Sequence, residues 1–241
     1  MHPIILKVRT GSHCHGTALP TSDEDIRGVC IPDEHYFLGI KTFEQYENKE
    51  TDTVIYGWQK FLHLAIKGNM SIMNIMFVHK KDILFKDEFG DRLLAFRENF
   101  LTGKIINAAY GFCKSQIHKM ARSHGDCGNR KELVDKYGYD TKFAYHAVMI
   151  TNMSIDLLKS GVYQPLRSPS EQKLLLSIRK GEIPHEKVME ILQQNLLTIK
   201  TLEIITDLPK EPDGEKISEF SVNFLKDYFK YAKRDNPNPV G

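Results

Sequence analysis

Residues 3–31 read PIILKVRTGSHCHGTALPTSDEDIRGVCI, and the fold is decided there. The run Pro3 to Arg9 is apolar and rich in β-branched residues, which predicts a first strand ending at Gly11-Ser12. Pro20, Thr21 and Ser22 predict a loop. Asp25 to Ile31 predicts a second strand, closed by Pro32-Asp33. Asp23 and Asp25 are two apart. In extended backbone both side chains then point to one face. Two parallel carboxylates at short range repel, and a cation between them removes that cost. Hard oxygen donors on one face are what magnesium selects, with substrate phosphates completing its octahedron.

Working outward, Thr51 to Tyr56 predicts a third strand, with Asp52 at its head. Asp52 is the best-placed third carboxylate of a two-metal site, in which the metals lie ~3.5–4 Å apart. The Gly11-Ser12 turn supplies the other half. A strand that ends in Gly-Ser and leads into a short helix exposes backbone N–H groups and a hydroxyl, donors suited to a triphosphate. Alone, D-x-D is common and is usually a solvated turn. The order strand, Gly-Ser, spacer, D-x-D, strand is far more specific.

Helix signals dominate the rest of the chain. Gly57 to Lys67 places Trp58, Phe61, Leu62, Ala65 and Ile66 on one face and stops at Gly68-Asn69. Further helices are predicted over 71–78, 87–100, 102–122, 139–160, 170–180, 184–206 and 218–233, with a polar loop over 123–131. Gly161 is a plausible C-cap. Trp58 and the set Met70, Met73 and Met76 fit a core. The pattern predicts an α+β fold: a small mixed-sheet catalytic core over residues 1–100, then a helical part over 101–241.

The bulk numbers exclude several classes. The chain has 241 residues, 41% hydrophobic and 27% charged, and a formal net charge of +2. That is ample for a core and too nearly neutral for a uniformly basic nucleic-acid binder. Cys14, Cys30, Cys113 and Cys127 form no C-x-x-C pair, so neither a disulfide framework nor a thiolate zinc site is predicted. No segment approaches the ~18 apolar residues that cross a bilayer. A soluble protein of a reducing compartment, the cytoplasm, with no membrane contact is the expectation.

The motifs together carry a resemblance. Gly11-Ser12 through Gly16-Thr17, then Ser22-Asp23-Glu24-Asp25-Ile26-Arg27-Gly28-Val29, resembles the signature of the DNA polymerase β-like nucleotidyltransferase superfamily. More narrowly, the chain resembles the nucleotidyltransferase family that includes RNA-repair-associated members. Lys60-Phe61-Leu62 with Lys67-Gly68-Asn69, Tyr137-Gly138-Tyr139-Asp140-Thr141-Lys142 with His146, Ile178-Arg179-Lys180-Gly181-Glu182, and the later Leu208-Pro209 and Pro212-Asp213 extend it to roughly residues 5–215. The resemblance implies Gly11 and Ser12 at the phosphates and Asp23 and Asp25 as metal ligands. It implies Asp52 as third carboxylate and base toward the acceptor hydroxyl. It also implies Mg2+ with a nucleoside triphosphate, and an RNA or tRNA end as acceptor. A small molecule, a protein hydroxyl, or a silent nucleotide-binding module are the alternatives. Two departures bear on acceptor recognition: Asn74 where relatives often carry Glu, and Met149 where they often carry Arg.

Other residues stay open on sequence alone. Lys142 and His146 share a helix face and suit a phosphate, or form a solvated lysine beside a half-buried histidine. With the resemblance, phosphate contact is favoured. Asp140 reads as a helix N-terminal residue. His13 and His15 border the phosphate pocket or face solvent. Arg27 is a charge partner of the carboxylates or a phosphate ligand. Residues 101–145 hold eight Lys/Arg against four Asp/Glu, with Tyr110, Phe112, Tyr137 and Tyr139 interleaved. Such a face can hold an RNA end or simply be solvated.

Overall fold

The computed structural model describes residues 2–122 and 131–235. The chain opens with β1 (Ile4–Arg9), the four-residue helix α1 (Gly11–Cys14), β2 (Ile26–Cys30) and a short α2 (His35–Leu38). Then come β3 (Gln45–Asn48), β4 (Thr53–Gly57), α3 (Trp58–Ile66), α4 (Met70–Phe77), β5 (Ile83–Lys86) and α5 (Glu88–Phe96). The remainder is helical: α6 (Gly103–Arg122), α7 (Lys131–Tyr137), α8 (Thr141–Ser160), α9 (Pro169–Arg179), α10 (His185–Ile205) and α11 (Gly214–Asp235). This is the predicted α+β arrangement, a mixed sheet first and helices after it. No helix among the described residues is long and apolar enough to cross a membrane.

The strands form one sheet in the order β3-β4-β2-β1-β5. β2 and β4 run parallel, with Ile26 opposite Thr53, and the other neighbours are antiparallel. The parallel pair brings the N-terminal ends of β2 and β4 to the same edge of the sheet as the C-terminal end of β1. Three loops therefore meet there: the one after β1, the one before β2 and the one before β4. This convergence positions the site.

Two strands and two short helices, α2 and α7, were not expected from sequence. β3 reads Gln-Tyr-Glu-Asn and shows no apolar alternation, because it is a sheet edge with two exposed residues. β5 is four residues long and lies at the other edge, with three of its four side chains exposed. α7 occupies the end of the polar stretch expected as a loop over 123–131, and 123–130 lie outside the described residues. The other helices fall where periodicity placed them. Ser168 caps α9 through a reciprocal capping box with Glu171, and Gly161 ends α8 in the left-handed conformation with φ 69°. Asp140 caps α8, accepting from the Phe143 N–H at 3.0 Å.

One apolar cluster runs through sheet and helices together. α11 folds back onto the sheet's own helices. Phe224 stacks on Trp58 with ring centroids 4.2 Å apart, and the Trp58 indole N–H donates to Ser221 Oγ at 2.8 Å. Phe220 stacks on Phe96 at 3.8 Å. A second joint lies at Gly68, between α3 and α4, where φ is +69° and a Cβ would sit 2.5 Å from the Ile105 backbone nitrogen. Only glycine accepts both the positive φ and the approach of α6. Gly68→Ala is expected to cost about 2–4 kcal/mol, from left-handed strain plus overpacking against backbone. The denaturant midpoint should fall with the slope unchanged; an unchanged midpoint contradicts this reading of the joint.

Candidate active site

The site begins where β1 ends. The Thr10 N–H donates to the Asp25 carbonyl at 2.8 Å, and the Ile26 N–H donates to the Asp52 carbonyl at 3.1 Å. These two bonds extend the sheet by one residue at the shared edge and bring Gly11, Asp25 and Asp52 side by side. Gly11 has φ +60°, and a Cβ built on it would lie 1.8 Å from Asp25 Oδ2. The Asp25 carboxyl therefore rests against bare backbone, which no other residue at position 11 allows. Asp52, just ahead of β4, has φ 41°, the single non-glycine positive φ among the described residues.

Asp25 and Asp52 touch through their carboxyl groups. Burial pushes Asp25 up to about 6, and the hydrogen bond it donates to Asp52 and the charge of Asp52 push the same way, with Arg27 opposing. The same hydrogen bond, with Arg27, holds Asp52 below its ordinary value. Below about pH 6 the pair therefore holds one proton, on the Asp25 side, and above it the two carboxylates face each other charged. Arg27 bridges them: its Nη2 lies 3.4 Å from Asp25 Oδ1 and 3.0 Å from Asp52 Oδ1, and its Nη1 donates to the Ile26 carbonyl at 2.9 Å and to the Asp52 carbonyl. Of the two roles open to Arg27 on sequence, the structure shows the charge partner.

Asp23 is exposed, and its charge is the smallest named contributor raising Asp25. Among the described residues no three His, Cys, Asp or Glu side chains converge into a ready-made metal cage. The residues nevertheless fit a divalent cation. Two hard-oxygen donors lie in contact, and their proximity raises the cost of ionising both, a cost that a dication between them relieves.

A cavity of about 460 Å³ opens from these groups, with Gly11, His15, Asp25, Arg27 and His146 in its wall. Asn74, Met149 and Phe112 line it farther from the carboxylates' strands, on α4, α8 and α6. Asp52 sits beside this wall through its contact with Asp25. Ser12 is half-buried on α1, and Lys142 is exposed on α8; neither lines the cavity. The larger cleft of the molecule, about 1450 Å³, lies elsewhere, along β5 and the loop after α8.

The helices hold the Gly-Ser loop in place. The Thr17 hydroxyl meets the Tyr145 hydroxyl at 2.5 Å, and Arg179 donates to the Thr17 carbonyl at 3.3 Å. His15 is buried with Nδ1 3.0 Å from the Pro165 carbonyl, and burial lowers its pKa to about 4. It is therefore a neutral ring with Nδ1 as donor, anchored to the loop after α8 rather than facing solvent. Thr17 and Arg179 stand in the motifs of the resemblance without an assigned role, and Tyr145 was not singled out; their contact escaped the sequence reading because Thr17 and Tyr145 are 128 residues apart. In the basic stretch, Lys114 and Lys119 lie over the rings of Tyr110 and Phe143, and Lys104 pairs with Glu211 at 2.8 Å. Phe112 is exposed at the cavity wall. Arg130 lies outside the described residues.

Because Asp25 is raised, the unfolded chain ionises it more readily than the folded one does. The penalty is absent below the ordinary carboxylate range of about 3.9 and fully present above about 6. Asp25→Asn is expected to raise the Tm of the EDTA-stripped chain at pH 7.5, and the gain should shrink as the pH falls to 4.5. A Tm unchanged or lowered at pH 7.5 contradicts the carboxyl contact.

No curated protein matches the chain. One solved structure that the chain matches is a nucleotidyltransferase-like protein from Exiguobacterium sibiricum 255-15, at 11% identity and a TM-score of 0.30, covering 83% of this chain and 68% of that one. The family description matches far more directly, spanning residues 1–213 with the carboxylate pair, the Gly-Ser loop and the helices that clamp it inside its bounds. The chain belongs to the RNA repair pathway DNA polymerase beta family, a family of nucleotidyltransferases.

Proposed function

We propose that the chain is a magnesium-dependent nucleotidyltransferase that moves a nucleoside monophosphate from a triphosphate to a hydroxyl at an RNA or tRNA end, releasing pyrophosphate. The observation that carries this reading is the Asp25–Asp52 contact on adjacent parallel strands, pressed against the backbone of Gly11 and open to the cavity.

Asp25 and Asp52 would hold the metal, with Asp23 reaching in from its exposed loop. Bound there, magnesium would neutralise charge on the triphosphate and make an attacking hydroxyl more acidic. The chain's own groups do the rest. Gly11 and Ser12 offer backbone N–H groups and a hydroxyl to phosphate oxygens. Arg27, now spent on the two carboxylates, is within reach of incoming anionic oxygens. Asp52, the more acidic of the pair, accepts the proton of the acceptor hydroxyl. His146 in the cavity wall contacts phosphate, and Lys142 on the same helix supplies long-range positive charge. Positioning and charge compensation account for most of the expected rate.

An RNA acceptor is favoured by the family's description and by the surface beside the cavity. The basic bias of α6 to α8 suits a phosphate backbone. Incubation with each α-labelled triphosphate and a set of RNA and tRNA ends tests it. Label should pass to RNA in the presence of Mg2+, and Asp25→Asn should reduce transfer by ~100-fold or more. Label found only on protein or on a small molecule overturns the RNA acceptor; no transfer to any acceptor overturns the enzyme reading.

A further inference from the structure

Asn74 stands on α4, half-buried, in the wall of the same cavity that holds Gly11 and Asp25. Its side chain is held from behind. The Tyr163 hydroxyl donates to Asn74 Oδ1 at 2.9 Å and also approaches Met70 Sδ at 3.9 Å. Tyr163 is only 3% exposed and packs on Phe77 with ring centroids 5.4 Å apart. Burial holds its phenol well above the ordinary range, so it stays an O–H donor at any working pH.

That contact settles what Asn74 can offer. An amide carries one acceptor oxygen and two donor hydrogens. Tyr163 takes one lone pair of the oxygen and fixes the amide plane, turning Nδ2 away from Tyr163. The Nδ2 hydrogens have no protein partner among the described residues. The cavity therefore meets a fixed pair of donors at this point, beside the thioethers of Met70, Met149 and Met153 and the ring of Phe112, with Asn69 and Ser71 adding polar groups at the α4 end. Soft thioether and aromatic walls suit a flat heteroaromatic ring, and a few placed polar groups fix its orientation.

We propose that Asn74 is a specificity-determining residue of the nucleotide site, donating its side-chain amide to an acceptor atom on the base of the bound triphosphate, a carbonyl oxygen or a bare ring nitrogen. The inference rests on the nucleotidyltransferase reading and goes beyond it by setting the triphosphate's direction. The phosphates lie toward Gly11 and Arg27, and the base lies between α4, α6 and α8. Tyr163 is a positioning residue that acts through Asn74. A carboxylate at position 74 would still accept from Tyr163 but would present only acceptors and negative charge, and so reject the edge that the amide reads.

Equilibrium binding separates this from the parent reading. The full chain, wild type and as Asn74→Asp, Asn74→Leu and Tyr163→Phe, is titrated calorimetrically with ATP, GTP, CTP and UTP in Mg2+, after circular dichroism melts establish folding. Wild type should rank the four triphosphates. Both Asn74 variants should weaken the preferred one ~10-fold or more and narrow its lead over the others. Tyr163→Phe should narrow that lead with a smaller loss of affinity, which a purely structural tyrosine would not do. Asn74→Asp is nearly isosteric and keeps the test open if Asn74→Leu does not fold. Variants that bind and rank the four as wild type does overturn the role of Asn74 and leave nucleotidyl transfer standing. A wild type that binds none of them overturns both.

Discussion

Two carboxyl groups held in contact at one edge of a sheet are the constraint on which the site depends. Asp25 and Asp52 come from different loops, yet the parallel pairing of β2 with β4 leaves them no other place to be. Left alone, the pair is unfavourable, and burial makes it worse. The chain tolerates it through the guanidinium of Arg27 and, below about pH 6, one shared proton. Both are exchangeable for a divalent cation and phosphate oxygens. Stored electrostatic cost of this kind is characteristic of functional sites, because ligand binding releases it. The strained φ of Asp52 and the glycine at position 11 belong to the same arrangement: each gives up local backbone preference to bring the carboxyls together.

The helical part is the other half of that constraint. A four-residue helix such as α1 cannot hold its own position. Tyr145 and Arg179 bind Thr17, Pro165 binds His15, and Gln172 packs where a side chain at Gly16 would stand. The Gly-Ser loop is thus fixed between sheet and helices, and the cavity lies along that seam. One apolar cluster running through both parts gives the seam its rigidity.

Much of this was legible in the chain, for definable reasons. β1, β2 and β4 are buried and β-branched, so they announce themselves. β3 and β5 are edge strands with mostly exposed side chains, and their pairing is set by neighbours rather than by their own pattern. Helices with one apolar face were readable from α3 to α11, apart from the short α7. At the site, the positions of Gly11, Asp25 and Asp52 followed from motif and strand order. The inequality within the acidic set did not: Asp25 is partly buried, Asp52 is bound to Arg27, and Asp23 stays exposed. Exposure depends on long-range packing of the kind that joins Tyr145 to Thr17, which no local spacing encodes. The Tyr163 contact to Asn74 spans 89 residues and lay beyond any motif. His146 was named for its helix face and does line the cavity; Lys142, on the same face one turn earlier, projects to solvent.

The central claim is that Asp25 and Asp52 together form a divalent-cation site. Mn2+ is a spectroscopically visible stand-in for Mg2+, and its binding to the full chain can be followed by electron paramagnetic resonance with and without a nucleoside triphosphate. The account predicts saturable binding that tightens with nucleotide, weakens as the pH falls below about 6 where Asp25 takes up its proton, and disappears in Asp25→Asn and in Asp52→Asn. Mn2+ binding that survives both substitutions, or that ignores pH across that range, would contradict it.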